Sequence, residues 1–288
     1  MGSDSESEFP SNVFSTGPSW TGFEALKYLV IFGASYCDVG YHDEFLYSVA
    51  PVSTREQPLG VEFPGETYAE PGQPNWVGHL ITNHSPNPNL LVYNYAKGGS
   101  RVAQVKDQVQ SMFRYHLGEK PDWAPWTSSD TLFLTWVGIN DAAYGSDHAD
   151  NMEKLFQVQE ILYETGARNF LFINVPQCTD LPPQVITALK GRDGVSHINW
   201  NTELKKSAAH FSEAHPDTTV MIFSSWDTFT TVLDDPIAHG FPAADVLKPA
   251  RSIWVDHLHP TSKMHDFIAR DIAGFLCAQP AFKIDASE

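Results

Sequence analysis

The sequence has few cysteines and no long hydrophobic run. Its three cysteines are odd in number and far apart, so they do not form the disulfide framework that stabilises small secreted domains. At most one bridge is possible between any two of Cys37, Cys178 and Cys277, and three reduced thiols are the favoured interpretation. No apolar run reaches the ~18 to 20 residues of a transmembrane helix. The sequence therefore predicts a soluble protein without a disulfide framework.

Basic residues are also scarce. There are 18 Lys and Arg against 35 Asp and Glu, which gives a net charge of −17 at pH 7. Nucleic acids and anionic membranes attract basic surfaces, so we expect neither as the main partner of this chain. The acidity itself indicates solubility and does not point to a function.

The N-terminus lacks the basic and then apolar pattern of a signal peptide, because residues 1–12 are acidic and polar. The chain as written therefore predicts a cytoplasmic protein. A secreted protein is the alternative if residues 1–3 precede a processed chain, and the eight tryptophans and the sequon at Asn83 suit it equally well. Residues 1–19, rich in Ser, Pro and acidic residues, predict a flexible arm before a single domain over residues 20–288.

Strand-like and helical segments alternate through most of the chain. Short runs rich in β-branched and aromatic residues predict buried strands over residues 28–32, 90–95, 131–137, 169–175 and 219–223. Apolar residues at helical spacing predict helices over residues 75–83, 102–116, 152–166, 199–215 and 262–277. Such alternation is typical of βαβ units, so we expect an α/β fold with a parallel sheet.

The first predicted strand ends in a turn that presents a serine. Gly33 ends the strand, and Ser35 follows at its carboxyl end, where open α/β sheets bind their ligands. With Asp38 and Gly40, the turn has the sequence G-A-S-x-x-D-x-G. Ser35 is therefore a candidate nucleophile, although an ordinary strand-to-loop turn explains this segment equally well when it is taken alone.

Three further segments carry residues suited to the same chemistry. The second strand ends in N-Y-A-x-G-G-S, where Gly99 lies in a turn that points free N–H groups outward. The third ends in G-x-N-D, in which Asn140 and Asp141 are both good caps for the next helix. Near the C-terminus, D-x-x-H-P-T allows Asp256 to bend back to one ring nitrogen of His259 and leave the other free for a serine.

Together these four segments resemble the sequence blocks of the GDSL, or SGNH, hydrolases, in the order of that family and over about residues 28–276. The sequence is most similar to the fungal acetylesterase-type, carbohydrate esterase-like branch and its plant relatives. The resemblance implies a three-layer α/β/α sandwich with a flavodoxin-like sheet of five parallel strands. It also implies hydrolysis of short acyl esters without a metal or another cofactor. We expect a small-molecule ester as substrate and a monomeric protein.

The resemblance also assigns a role to each of five residues. Ser35 would be the nucleophile, His259 the general base, and Asp256 the acid that orients the base. The backbone N–H groups of Ser35 and Gly99 and the side-chain amide of Asn140 would form the oxyanion hole. The expected activity is that of a serine esterase that passes through an acyl-serine intermediate.

One departure from the family lies beside the nucleophile, where Ala34 stands in place of an aspartate. Either groups such as Asp38 keep the turn rigid and activity survives, or Ser35 is poorly aligned and the protein is slow or only binds its ligand. Because the five assigned residues are all present, activity is the favoured alternative. The same residues would serve an acyltransferase that passes the acyl group to an alcohol, and the sequence leaves this alternative open.

Two other chemistries have weaker support in the sequence. Asp256, His257, His259 and His265 permit a metal site, but no second cluster of ligands is evident. Cys37 could serve as a thiol nucleophile, although it fits better as a small packed residue where the family commonly has Ser or Thr. We therefore expect neither a metal nor a cysteine nucleophile.

A long irregular segment over residues 41–75 follows the candidate nucleophile. This position suits a wall of the pocket. We expect its aromatic side chains to pack the segment against the body of the protein, with substrate contact as the alternative. These aromatic residues are Phe45, Tyr47, Phe63 and Tyr68.

Overall fold

The structure is a computed structural model that describes residues 7–42, 51–144, 148–176 and 195–283. A six-stranded sheet lies at the centre of this part of the chain. Its strands are β1 (Asn12–Ser15), β2 (Tyr28–Gly33), β3 (Leu91–Asn94), β4 (Thr131–Trp136), β5 (Asn169–Ile173) and β6 (Thr219–Phe223). Their order across the sheet is β1-β6-β5-β4-β2-β3. The five strands β2 to β6 are parallel, and β1 pairs antiparallel with β6.

The helices form two groups. They are α1 (Trp76–His79), α2 (Val102–Asp107), α3 (Ile139–Tyr144), α4 (His148–Thr165), α5 (Val195–Ala214), α6 (Ser225–Asp234) and α7 (Ser262–Cys277). Helices α2 to α5 pack together, whereas α1 and α6 pack against α7, so the sheet lies between two helical layers. The predicted three-layer α/β/α architecture is therefore confirmed. In the described residues, no helix combines the length and apolar composition needed to cross a membrane.

Two of the helices change their winding along the chain. Helix α1 continues as a π-helix over Leu80–His84. Helix α2 continues as a π-helix over Gln108–Met112 and a 3₁₀ turn over Phe113–Tyr115. The helix predicted over residues 102–116 is thus present, but it is regular only in its first part.

The sixth strand comes from the segment predicted as a flexible arm over residues 1–19. Strand β1 lies antiparallel to β6, with Asn12 opposite Ile222. The ring of Phe9 packs edge-on against Trp226 at a centroid distance of 5.0 Å. The prediction of flexibility is therefore wrong for residues 12–15. A four-residue edge strand has too few residues to show a hydrophobic period, and a partner some 200 residues away stabilises it.

Strand β2 lies between β3 and β4. The chain therefore runs from β2 to its neighbour on one side, β3, and then back past β2 to its neighbour on the other side, β4. In such sheets the carboxyl ends of the strands on either side of this point border a crevice that binds ligands. Ser35, Gly99 and Asn140 follow β2, β3 and β4 respectively. The fold therefore brings three residues that are far apart in sequence to one edge of the sheet.

Candidate active site

Ser35, His259 and Asp256 form a continuous chain of hydrogen-bonding groups at this edge. The His259 Nε2 atom lies 2.9 Å from Ser35 Oγ, and His259 Nδ1 lies 2.8 Å from Asp256 Oδ2. The His259 side chain is 14% exposed and that of Asp256 45%, so solvent reaches the acid more readily than the base. These distances allow the ring to take a proton from the serine while the carboxylate fixes its tautomer.

A short turn holds the acid and the base together. Trp254 and Pro260 form an antiparallel bridge that closes the turn. Inside it, Asp256 Oδ1 accepts hydrogen bonds from the backbone N–H groups of Leu258, at 2.7 Å, and His259, at 2.8 Å. Aspartate side chains commonly bond to backbone groups two or three residues further on. The D-x-x-H spacing therefore fixes the carboxylate through its own turn.

Two opposing effects act on the pKa of Asp256. Partial burial of the carboxyl raises the pKa. The hydrogen bonds donated by the His259 ring and by the backbone of His259 and Leu258 lower the pKa by a larger amount, so the net value is well below the ordinary range. The carboxyl is consequently ionised at neutral pH. An ionised acid is the form that can orient a histidine and stabilise its protonated state.

The serine turn is fixed by the backbone of its neighbours. The backbone carbonyl of Ala34, the residue before the serine, accepts hydrogen bonds from the backbone N–H groups of Cys37, at 2.9 Å, and Asp38, at 3.2 Å. Before it, Gly33 approaches β4 so closely that a Cβ there would collide with the carbonyl of Trp136. The absence of a side chain at residue 33 lets the turn begin directly at the end of the strand.

Asp38 joins the serine turn to the turn that follows β3. Its Oδ1 accepts a hydrogen bond from the backbone N–H of Gly40 at 2.8 Å, and its Oδ2 accepts one from Gly98 at 2.7 Å. The carboxylate is buried. It therefore links the segments that carry Ser35 and Gly99, and it braces the turn in which residue 34 is alanine.

Gln108 supports the same turn, and the sequence analysis missed it. The side-chain amide is 2% exposed and pairs with both backbone groups of Gly33: Oε1 accepts from its N–H and Nε2 donates to its carbonyl, each at 2.9 Å. The Nε2 atom also donates to Ser100 Oγ at 3.2 Å. A signal was present, because Gln108 is a polar residue three positions after Val105 on the buried face of the helix.

The two remaining candidate donors lie next to each other. Gly99 has φ +78°, which favours glycine, and open space surrounds the position of a Cβ. Asn140 Nδ2 donates to the backbone carbonyl of Ser100 at 3.0 Å. An amide nitrogen carries two hydrogens, so one of them fixes the side chain and the other can donate to a bound oxygen.

Asp141 caps the helix that follows Gly99. Its Oδ1 accepts a hydrogen bond from Val102 N–H, the first residue of α2, at 3.2 Å. Among the described residues, Oδ2 has no hydrogen-bond partner. The alternative from the sequence is that the Asn-Asp pair caps the next helix, whereas the helix that Asp141 caps is α2, which lies earlier in the chain. Burial raises the pKa of the Asp141 carboxyl to about 6.

Asp141→Asn is expected to alter stability in a pH-dependent way. A folded-state pKa raised from 3.8 to about 6 means that ionisation destabilises the folded form by about 3 kcal/mol. This destabilisation is absent below the unfolded pKa and complete above the folded one, so stability falls as pH rises through that window. The asparagine keeps an acceptor for Val102 and cannot ionise.

The measurement is the free energy of unfolding in urea at pH 4 and pH 7.5. The difference between Asp141→Asn and the wild type should move by about 2 kcal/mol in favour of the variant at the higher pH, because a small part of the destabilisation is already present at pH 4. Asp107→Asn, at an exposed carboxylate of α2, the helix that Asp141 caps, is the matched control. A difference that is equal at both pH values would contradict the prediction.

Cys37, His257 and His265 are the remaining candidate residues of the sequence analysis. The Cys37 thiol is buried, which raises its pKa and keeps it protonated and unreactive at neutral pH. His257 is exposed, whereas His265 is 1% exposed, and burial lowers the His265 pKa to about 3. Across the described ranges, no group of three or more His, Cys, Asp or Glu side chains is arranged to hold a metal ion. Both described cysteines are free, and Cys178 lies outside the described residues.

Aromatic side chains enclose the histidine. Tyr36 donates its hydroxyl hydrogen to the carbonyl of Leu258 at 2.7 Å and so ties the serine turn to the histidine turn. Residues 51–75 contain neither helix nor strand, and from this segment Tyr68 reaches His259. Tyr68 therefore lies at the candidate site. Phe63 packs near α1, and the other two aromatic residues predicted in this segment lie outside the described residues.

The sequence also matches known proteins. The family profile described as GDSL-like lipase/acylhydrolase matches residues 29–272. An acetylesterase from Thermothelomyces thermophilus is 29% identical over 272 residues, which cover 86% of this chain and 87% of that protein.

Two solved structures share the fold. An α/β hydrolase enzyme from the metagenome of Lake Arreo, Spain, has a TM-score of 0.54 at 15% identity and covers 91% of this chain and 100% of its own. An acetylxylan esterase from Geobacillus stearothermophilus, solved as a catalytic mutant, has a TM-score of 0.51 at 15% identity and covers 88% of this chain and 95% of its own. At these identities the likeness concerns the fold.

Proposed function

As a member of the GDSL-like lipase/acylhydrolase family this chain is a carboxylic ester hydrolase, and we propose that it removes short acyl groups, acetyl in particular, through an acyl-serine intermediate. The observation that carries the proposal is the alignment of Ser35 Oγ, 2.9 Å from His259 Nε2, with Asp256 on the other ring nitrogen. The acetylesterase relative supports a short acyl group. A carbohydrate is one candidate for the alcohol part of the ester, so acetylated carbohydrates are among the substrates to be tested.

Acylation begins at the serine. His259 Nε2 takes the proton from Ser35 Oγ as this oxygen forms a bond to the ester carbonyl carbon, and the carbonyl π-electrons move to its oxygen. The ring becomes positively charged, and the ionised Asp256 stabilises it through Nδ1. The same ring then gives its proton to the leaving alcohol as the ester bond breaks.

The negative oxygen of the tetrahedral intermediate needs hydrogen-bond donors. The backbone N–H groups of Ser35 and Gly99 and the second amide hydrogen of Asn140 supply them in our proposal. All three follow neighbouring parallel strands, so the donors are held in place before the substrate binds. Preorganised donors of this kind stabilise the transition state more than water does.

Deacylation repeats the same steps with water. His259 takes a proton from a water molecule as its oxygen attacks the acyl-serine carbonyl, and the ring then returns the proton to Ser35 Oγ. The products are the free acid and the restored enzyme.

The proposal is tested by hydrolysis of 4-nitrophenyl acetate, butyrate and octanoate, with acetate release from acetylated xylan as a fourth substrate. We expect the acetate to turn over fastest, and an organophosphonate probe to label Ser35 alone. Folded protein that hydrolyses none of these esters would contradict the proposal. A competing alcohol added to the assay detects the acyltransferase alternative, because the acyl group would then appear mainly on the alcohol.

Asn140→Ala is expected to lower kcat by about 10²- to 10³-fold, because the variant loses one donor to the oxyanion. KM should change little, since the donor contributes mainly in the transition state. Steady-state kinetics with 4-nitrophenyl acetate measure both constants. Asn89→Ala, at an exposed asparagine, is the matched control and should behave as the wild type. A loss of kcat below tenfold would remove Asn140 from the oxyanion hole.

A further inference from the structure

Tyr68 covers one face of the candidate base. The centroids of the Tyr68 and His259 rings lie 4.7 Å apart, and the ring planes are tilted by 32°. The tyrosine is 42% exposed, so its ring separates the imidazole from solvent on that side. Its hydroxyl lies against Gly98, where a Cβ would collide with it. Glycine at residue 98 is thus required for the tyrosine to lie over the histidine.

The segment that carries Tyr68 is fixed at both sides of the residue. Thr67 Oγ1 donates a hydrogen bond to the carbonyl of Gln73 at 2.8 Å and accepts one from the backbone N–H of Ala69 at 3.2 Å. Glu70 Oε2 accepts a hydrogen bond from the backbone N–H of Ser262, the first residue of α7, at 2.7 Å. Helix α7 begins directly after the histidine turn. The segment and the base are therefore anchored to the same element.

We propose that Tyr68 is a positioning residue whose ring face stabilises the positively charged imidazolium of His259. The inference rests on the proposed function, in which this imidazolium forms as Ser35 loses its proton. A cation within about 6 Å of an aromatic ring centroid is attracted by the electron-rich face. The tilted contact between the two rings, with a centroid distance of 4.7 Å, meets this condition. The sequence analysis favoured a packing role for Tyr68, and its position over the base adds an electrostatic one.

The other groups around His259 contact its ring nitrogens or lie farther from the ring than Tyr68 does. Asp256 lies on Nδ1 and Ser35 on Nε2. The Tyr36 ring is more distant, at 6.2 Å with a tilt of 57°. Burial and the neighbouring histidines hold the pKa of His265 at about 3, so that ring is neutral and does not repel the imidazolium. Tyr68 is thus the aromatic ring nearest to the charge among the described residues.

The test compares Tyr68→Leu, which keeps much of the apolar volume and loses the aromatic face, with Tyr68→Phe, which keeps the face. Tyr68→Leu is expected to lower kcat by about 3- to 10-fold and to move the acid limb of the kcat/KM profile to lower pH by about half a unit. The limb moves downward because the protonated ring is less favoured without the aromatic face. Tyr68→Phe should keep the profile of the wild type, and Tyr115→Leu, at a 71% exposed tyrosine, is the matched control.

A second readout does not depend on turnover. The pH titration of the His259 ring signal in NMR spectra of the free protein should shift in the same direction in Tyr68→Leu and stay in place in Tyr68→Phe. Equal titrations in all three proteins would overturn the inference, even if Tyr68→Leu were slower. A shifted titration in a protein that hydrolyses no ester would support the contact and reject the proposed function instead.

Discussion

Ser35→Ala is expected to lower kcat for 4-nitrophenyl acetate by about 10⁶-fold, since removal of the nucleophile in serine hydrolases has effects of this size. Alanine cannot form the acyl intermediate, while the backbone N–H of residue 35 remains for the oxyanion. The small hydrolysis left over would come from the oxyanion donors acting on water.

The matched control is Ser111→Ala, at an exposed serine, which should retain wild-type kinetics. The Ser35→Ala variant should also lose labelling by the organophosphonate probe. Its circular dichroism spectrum should match that of the wild type, because a missing hydroxyl leaves no cavity of consequence. If the folded variant kept more than about one hundredth of the activity, another residue would be the nucleophile.

Asp256→Asn is expected to lower kcat by about 10⁴-fold at neutral pH. An asparagine with its oxygen at the position of Oδ1 keeps the hydrogen bonds from the backbone N–H groups of Leu258 and His259. Its amide hydrogens would then face Nδ1 of His259. The ring would hold the wrong tautomer, with its proton on Nε2, and could not accept the proton of Ser35.

The measurement is kcat for 4-nitrophenyl acetate, with Asp122→Asn, at an exposed carboxylate, as the matched control. Unchanged thermal stability would show that the turn keeps its shape. A loss of less than tenfold would mean that a different acid orients His259. The effect should be smaller than that of Ser35→Ala, because the nucleophile remains.

The sequence predicts the central strands well because of their burial. Strands β2 and β4 are buried on both faces, and each is a mostly apolar run that ends at a glycine or shortly before one. The contact between Asp256 and His259 is predictable because it lies within one turn of the chain. The three-residue spacing of Asp256 and His259 is enough to close a hydrogen-bonded turn.

Contacts between distant segments are not predictable by such local arguments. Ser35 and His259 are 224 positions apart. Before the structure, only the resemblance to a family predicted that they lie together. Gln108 and Tyr68 belong to a helix and to an irregular segment whose patterns say nothing about the turn or the ring that they contact. Helices α3 and α6 also lie outside the predicted helices, because each is short and follows a strand almost directly.

Strand β1 has a consequence for association between molecules. Without it, β6 would present a row of unpaired backbone groups, and exposed edges of this kind pair with other chains and promote aggregation. β1 is only four residues long, so its own outer edge, which is now the edge of the sheet, is short. It lies four strands from β2, roughly 19 Å at the usual spacing. The edge that β1 covers is thus distant from the candidate active site, which follows β2, β3 and β4.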